Sequence, residues 1–210
     1  MNARLFSRTI SRTLARSASY KPSSGWATTS SDSASLATDF AETEAQRILE
    51  EGTKLLENGD IDSAKSLYMR SVQIKKTPAG LFNLGVTHFH SKNFPDAIKA
   101  WKESIILEPS NPDAHTNLAS AYIMSPVPQP VLALEHLRAA AAISPDDAEI
   151  AFNLGAVLEA CGFLEDALEQ YKKSNDGGVE RAAVYVRNVS AKILGQQMKQ
   201  AEAEENERKD

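Results

Sequence analysis

The sequence predicts an all-α solenoid of about four helix-turn-helix units, closed by a C-terminal capping helix. Three observations carry that expectation. A small residue recurs at Gly52, Gly85, Ala119 and Gly155, at spacings of 33, 34 and 36 residues. Twelve or fourteen residues after each comes an alanine: Ala64, Ala97, Ala133 and Ala167. Four residues further on stands a large side chain (Tyr68, Trp101, Leu137, Tyr171), and three beyond that a small one (Ser71, Ser104, Ala140, Ser174). Self-similarity at a fixed period of this size marks stacked supersecondary units, none of which can bury its apolar face alone.

The chain begins with a segment that differs in kind from the rest. Residues 1–31 contain Arg4, Arg8, Arg12, Arg16 and Lys21 and no acid, a local charge of +5, which leaves 18 basic against 28 acidic residues (−10) from Asp32 onward. Arginines every fourth residue form one helical stripe, and Leu5, Phe6, Ile10 and Leu14 supply an apolar counterpart. A Ser- and Arg-rich, acid-free leader without a continuous apolar core resembles a mitochondrial presequence rather than a secretory signal, with removal expected between Thr13 and Asp32. Residues 32–42 are expected to form a linker, with Thr38 or Asp39 capping the first folded helix.

The repeats are expected over residues 43–181, as units at about 45–77, 78–111, 112–147 and 148–181. Gly or Ala in each first helix allows the paired helix to approach closely. Asn58-Gly59-Asp60 and Cys161-Gly162 supply turns, while Pro109 and Pro145 stop second helices. The third unit carries two extra residues in the turn Ser125-Pro126-Val127-Pro128-Gln129-Pro130, stiffened by alternating prolines, and Pro130 can open the helix that follows. Apolar residues at helical spacing (Val186, Val189, Ile193, Leu194) predict a capping helix over 182–199, and residues 200–210 are expected to form a charged tail, as a frayed or solvated helix.

These residues resemble the tetratricopeptide repeat family, whose unit is a 34-residue helix-turn-helix. Leu84-Gly85 with Ala97, Trp101 and Pro109, and Leu154-Gly155 with Ala167 and Tyr171, match it most clearly. Leu118-Ala119-Tyr122 with Ala133 and Pro145 follows, and the first unit keeps Gly52, Leu55, Ala64 and Tyr68. The resemblance implies a right-handed solenoid whose first helices line a concave groove. It places Asn83, Asn117 and Asn153 at equivalent positions, as a ladder able to pair with the backbone of a bound segment. Phe82, Val86 and Phe152, with Phe89 nearby, would form an apolar floor. Some relatives clamp a chaperone's C-terminal carboxylate with basic residues on these faces. This chain has Leu49, Thr53, Asp113 and Asn117 there, and only Asn83 matches, so that clamp is not expected.

Composition and motifs exclude several other roles. The acidic body argues against binding nucleic acid, which depends on neutralising phosphates. No stretch approaches the ~20 apolar residues of a membrane-spanning helix. A single cysteine, Cys161, makes no internal disulfide. His88 and His90, two apart on one helix, point to different faces and do not chelate together. No phosphate loop, zinc motif or nucleophile elbow occurs, so neither enzyme activity nor a cofactor is expected. The expected function is a mitochondrial adaptor or assembly factor that holds a protein or peptide segment in the groove. The absence of a stop-transfer segment favours the matrix. The alternative is a constitutive subunit of a respiratory or ribosomal complex.

Overall fold

A computed structural model of the chain describes residues 33–208, which form nine α-helices and no strand. The basic leader of residues 1–31 lies outside the described residues. Eight helices pair in order as hairpins: α1 (Ser33–Glu57) with α2 (Ile61–Ile74), α3 (Pro78–His90) with α4 (Phe94–Leu107), α5 (Pro112–Met124) with α6 (Pro130–Ile143), and α7 (Ala148–Ala160) with α8 (Leu164–Asp176). Helix α9 (Ala182–Glu207) packs on α8. Each hairpin leans on the next in sequence, the one-dimensional stacking of a solenoid.

One boundary differs from the expectation. Helix α1 begins at Ser33, within the stretch 32–42 expected as a linker and ahead of the expected cap at Thr38 or Asp39. No Pro or Gly interrupts SASLATDFAETEA, and the Thr43 hydroxyl donates back to the Asp39 carbonyl inside the helix. Helix α9 runs without a break from the capping segment into the tail, expected as a solvated helix, and ends at Glu207, carried by the helix formers Ala, Glu and Gln.

Local chemistry sets the other ends. Asp60, Thr77, Asn93, Asn111 and Asp147 each accept a backbone N–H from the first turn of the helix they precede. Proline stands in the first turn of α3, α4, α5 and α6, where a missing N–H costs nothing. Helices α4 and α6 stop two residues before Pro109 and Pro145. Between paired helices, Gly59, Lys92 and Gly162 occupy the same place in left-handed conformation, at φ 84°, 58° and 87°. The third hairpin replaces that turn with the longer proline-rich one, held by Gln129 N–H donating to the Tyr122 carbonyl at 3.0 Å.

The hairpins are locked by one recurring fit. A Cβ added at Gly52 would stand 2.8 Å from the Tyr68 ring; at Gly85, 2.6 Å from Trp101; at Gly155, 3.0 Å from Tyr171. Each ring is also tethered at its polar tip. Trp101 Nε1 donates to the Phe82 carbonyl at 3.0 Å, Tyr68 to Thr53 Oγ1 at 3.2 Å, and Tyr171 to Glu159 at 2.9 Å. A tethered ring cannot yield to an extra methyl, so glycine is required opposite it. In the third hairpin the partner is Leu137, smaller and untethered, and there Ala119 takes the glycine's place with both residues fully buried. A second lock repeats seven residues beyond the alanine. Ser71, Ser104 and Ser174 donate to the carbonyls of Ala45, Pro78 and Ala148 at 2.7, 2.9 and 2.8 Å, each joining the last turn of a second helix to the first helix of its own hairpin.

Gly85→Ala should therefore destabilise the chain by about 1–3 kcal/mol in urea unfolding, although alanine is the better helix former by about 1 kcal/mol. Gly155→Ala, whose new methyl meets Tyr171 at 3.0 Å rather than 2.6 Å, should lose less.

Candidate functional site

The asparagine ladder sits on equivalent turns of α3, α5 and α7, and all three side chains are in the interior. Asn83 is 5% exposed and Asn117 and Asn153 are fully buried. Of the apolar floor, Val86 and Phe152 are fully buried and Phe82 is nearly so. None of the six offers surface to a partner in this conformation. The reason is visible at the last unit. Phe152 packs edge-on against Tyr185 of α9 (centroids 5.1 Å apart) and obliquely on Tyr171 (5.6 Å). The Arg181 guanidinium covers the same ring at 4.2 Å while pairing with Glu149. Arg181 and α9 thus close over Phe152.

At the middle unit the whole stretch Ala114–Ile123 is buried. Within it, neither Nδ2 nor Oδ1 of Asn117 has a hydrogen-bond partner among the described residues. A buried amide left unpaired costs about 1–3 kcal/mol, and both ends of this one are unpaired. Thr116 and Ser120, flanking it in the same helix, instead bond back to the Pro112 and Thr116 carbonyls at 2.9 Å.

The histidines are arranged as spacing along one helix could not reveal. His115 and His136, on α5 and α6, meet with Nδ1 atoms 3.0 Å apart, and His115 Nε2 lies 3.2 Å from the Pro109 carbonyl. A carbonyl only accepts, so His115 carries its proton on Nε2 and receives the N–H of His136 at Nδ1. Tyr122 stacks on His136 with centroids 5.9 Å apart, and Lys102 lies 5.7 Å from the centre of the Tyr122 ring. Burial above all, then the neighbouring His115 and Lys102, lower the His136 pKa to about 4. His88 and His90 are likewise held below the ordinary imidazole value by burial. Among the described residues no group of three or more His, Cys, Asp or Glu could hold a metal ion, and no helix is long and apolar enough to cross a membrane.

His136 gives a pH signature. Its folded pKa lies below the unfolded 6.5, so between pH 6.5 and about 4 the unfolded chain binds the extra proton and stability falls as pH drops. Melting curves across that range should show a shallower loss for His136→Gln than for the wild-type chain. Parallel curves would remove the histidine pair as the cause.

Residues 78–111, the α3–α4 hairpin with its trailing proline, match the model of the tetratricopeptide repeat family. A BBSome complex member BBS4 homolog of Drosophila melanogaster is 31% identical over 125 residues, 59% of this chain. The match spans only 25% of that relative's length. Among solved structures, a fragment of MamA from Desulfovibrio magneticus RS-1 (residue 41 to its end) superposes with a TM-score of 0.66 at 19% identity, over 73% of this chain and 88% of that fragment. YrrB, a tetratricopeptide repeat protein with an unusual peptide-binding site, gives 0.65 at 18% identity, over 75% of this chain and 84% of its own. Residues 78–111 thus match a tetratricopeptide repeat, the other hairpins repeat its small-residue interlock in register, and the chain has the fold of a tetratricopeptide repeat solenoid.

Proposed function

We propose that this chain is a non-enzymatic protein–protein interaction adaptor or assembly factor in mitochondria, which holds a partner segment on the inner face of the solenoid. The observation that carries the proposal is the Asn117 amide. It stands in the central unit, in register with Asn83 and Asn153, with both polar atoms buried and unpaired. An extended segment entering along the first helices would supply a carbonyl and an N–H to those two atoms. Because the neighbouring floor is closed, entry requires side chains over α5 to part, and the ordering energy is offset by pairing the amide. The peptide-binding site named for YrrB supports a peptide as the ligand class. The acid-free arginine leader supports the mitochondrial address, with the matrix as compartment.

A second reading, a constitutive subunit of a larger mitochondrial complex, is favoured by a separate observation. Large apolar side chains are bare away from the inner face: Ile106 at the end of α4 (76% exposed), Val127 in the proline-rich turn (75%) and Val131 at the start of α6 (66%). Such a subunit would co-migrate permanently with one large assembly on size fractionation.

Asn117→Leu separates these readings. Removing an unpaired buried amide in favour of a similar-sized apolar side chain should leave the fold as stable as before, or more so by about 1 kcal/mol. Recovery of the partner from a mitochondrial extract should nevertheless collapse. Undiminished recovery by a folded Asn117→Leu chain would refute the inner-face contact, and loss on Val127→Asp with Val131→Asp instead would favour the subunit. A tagged full-length chain found in the cytosol after fractionation would refute the address.

A further inference from the structure

Helix α9 is built differently on its two sides. Its inner side packs on the preceding hairpin through Ala182, Tyr185, Val186, Val189 and Ile193. At 100° per residue, Leu194 and Met198 point about 140° and 180° away from the buried Val189. Both are bare, at 58% and 57% exposure, as is Val184 at 46%. From Gln196 to Arg208 every residue is exposed, so half of a 26-residue helix projects, with Gln196 and Lys199 bordering a shallow hollow beside Gly162 and Leu164. A lone helical stretch of that length is marginal in water.

The charges on this helix are segregated. Between Ala182 and Lys199 it carries Arg187, Lys192 and Lys199 and no acid; from Ala201 to Glu207 it carries Glu202, Glu204, Glu205 and Glu207 and no base. Arg187 and Glu202 share the outer strip with Leu194 and Met198, and among the described residues neither has an ion-pair partner. At the midpoint stands Gly195. An added Cβ there would meet nothing within 4 Å, so no contact inside the chain calls for glycine, a poor helix former.

We propose that the outer strip of α9 pairs with α9 of a second copy, antiparallel, about a two-fold axis between Leu194 and Gly195. That register sets Arg187 against Glu202 of the second copy, twice by symmetry. It lays Ala191 against Met198, and Leu194 over the bare backbone at Gly195, where two helices can cross closely. In this register Arg187 is the basic residue set against the acidic stretch, Lys192 and Lys199 falling opposite Gln197 and Ser190, and each unsupported half of α9 gains the supported half of its partner. A parallel arrangement would set like charges together and is disfavoured by the same segregation.

The test is sedimentation velocity of the full-length chain from about 1 to 200 µM at low salt, where exposed ion pairs are least screened. Wild-type protein should shift with concentration from 22.8 kDa to twice that mass. Met198→Asp, on an exposed site that leaves the fold intact, should raise the dissociation constant at least about tenfold. Arg187→Glu and Glu202→Arg should each weaken pairing, and both together in one chain should restore it. A wild-type chain that stays monomeric, whether or not another protein binds this face, overturns the proposal. So does a Met198→Asp chain that pairs as tightly as wild type, or a double charge swap that fails to recover.

Discussion

Three of the four hairpins are held by a tethered ring seated on a glycine of the opposite helix. Tyr68, Trp101 and Tyr171 are fully buried, and each is fixed at its tip by a hydrogen bond to the first helix of its own hairpin. The ring therefore sets the distance between the two helices, and the glycine beneath it is a consequence. Stacking follows, because a hairpin closed to that spacing presents a defined ridge to the next one. The third hairpin follows the same rule with other residues: Leu137 has no polar tip, and Ala119 fills the volume that an aromatic ring takes elsewhere.

This constraint is written in the sequence because it couples residues at short, fixed separations. Glycine or alanine at the ring's seat, alanine at the crossing and the ring itself recur in phase. Caps such as Thr77, Asn111 and Asp147 are similarly local. Other features arise only once helices are assembled. The serines Ser71, Ser104 and Ser174 are legible as small residues, but their bonds to Ala45, Pro78 and Ala148 span 26 positions. The His115–His136 pair joins two helices across the turn lengthened by prolines, and no helical spacing points to it.

The inner-face residues illustrate the harder limit. Equivalent positions in successive first helices identify Asn83, Asn117 and Asn153 as a set, yet accessibility depends on what covers them. At the last unit the cover is Arg181 and Tyr185, which belong to the segment after the repeats. A groove inferred from repeat geometry alone leaves out that closure. The start of α1 at Ser33 has a related cause: a stretch without helix breakers continues a helix further than a capping residue would suggest.

The dependence of the fold on the ring and its seat is open to a double-mutant cycle in the second hairpin. Gly85→Ala, Trp101→Leu and the two combined would be compared by urea unfolding. The combination reproduces the alanine–leucine seat found in the third hairpin, so adding Gly85→Ala to the Trp101→Leu background should cost nothing or stabilise. The same change in the wild-type background should cost about 1–3 kcal/mol. Equal costs in both backgrounds would contradict the claim that the tethered ring dictates its glycine.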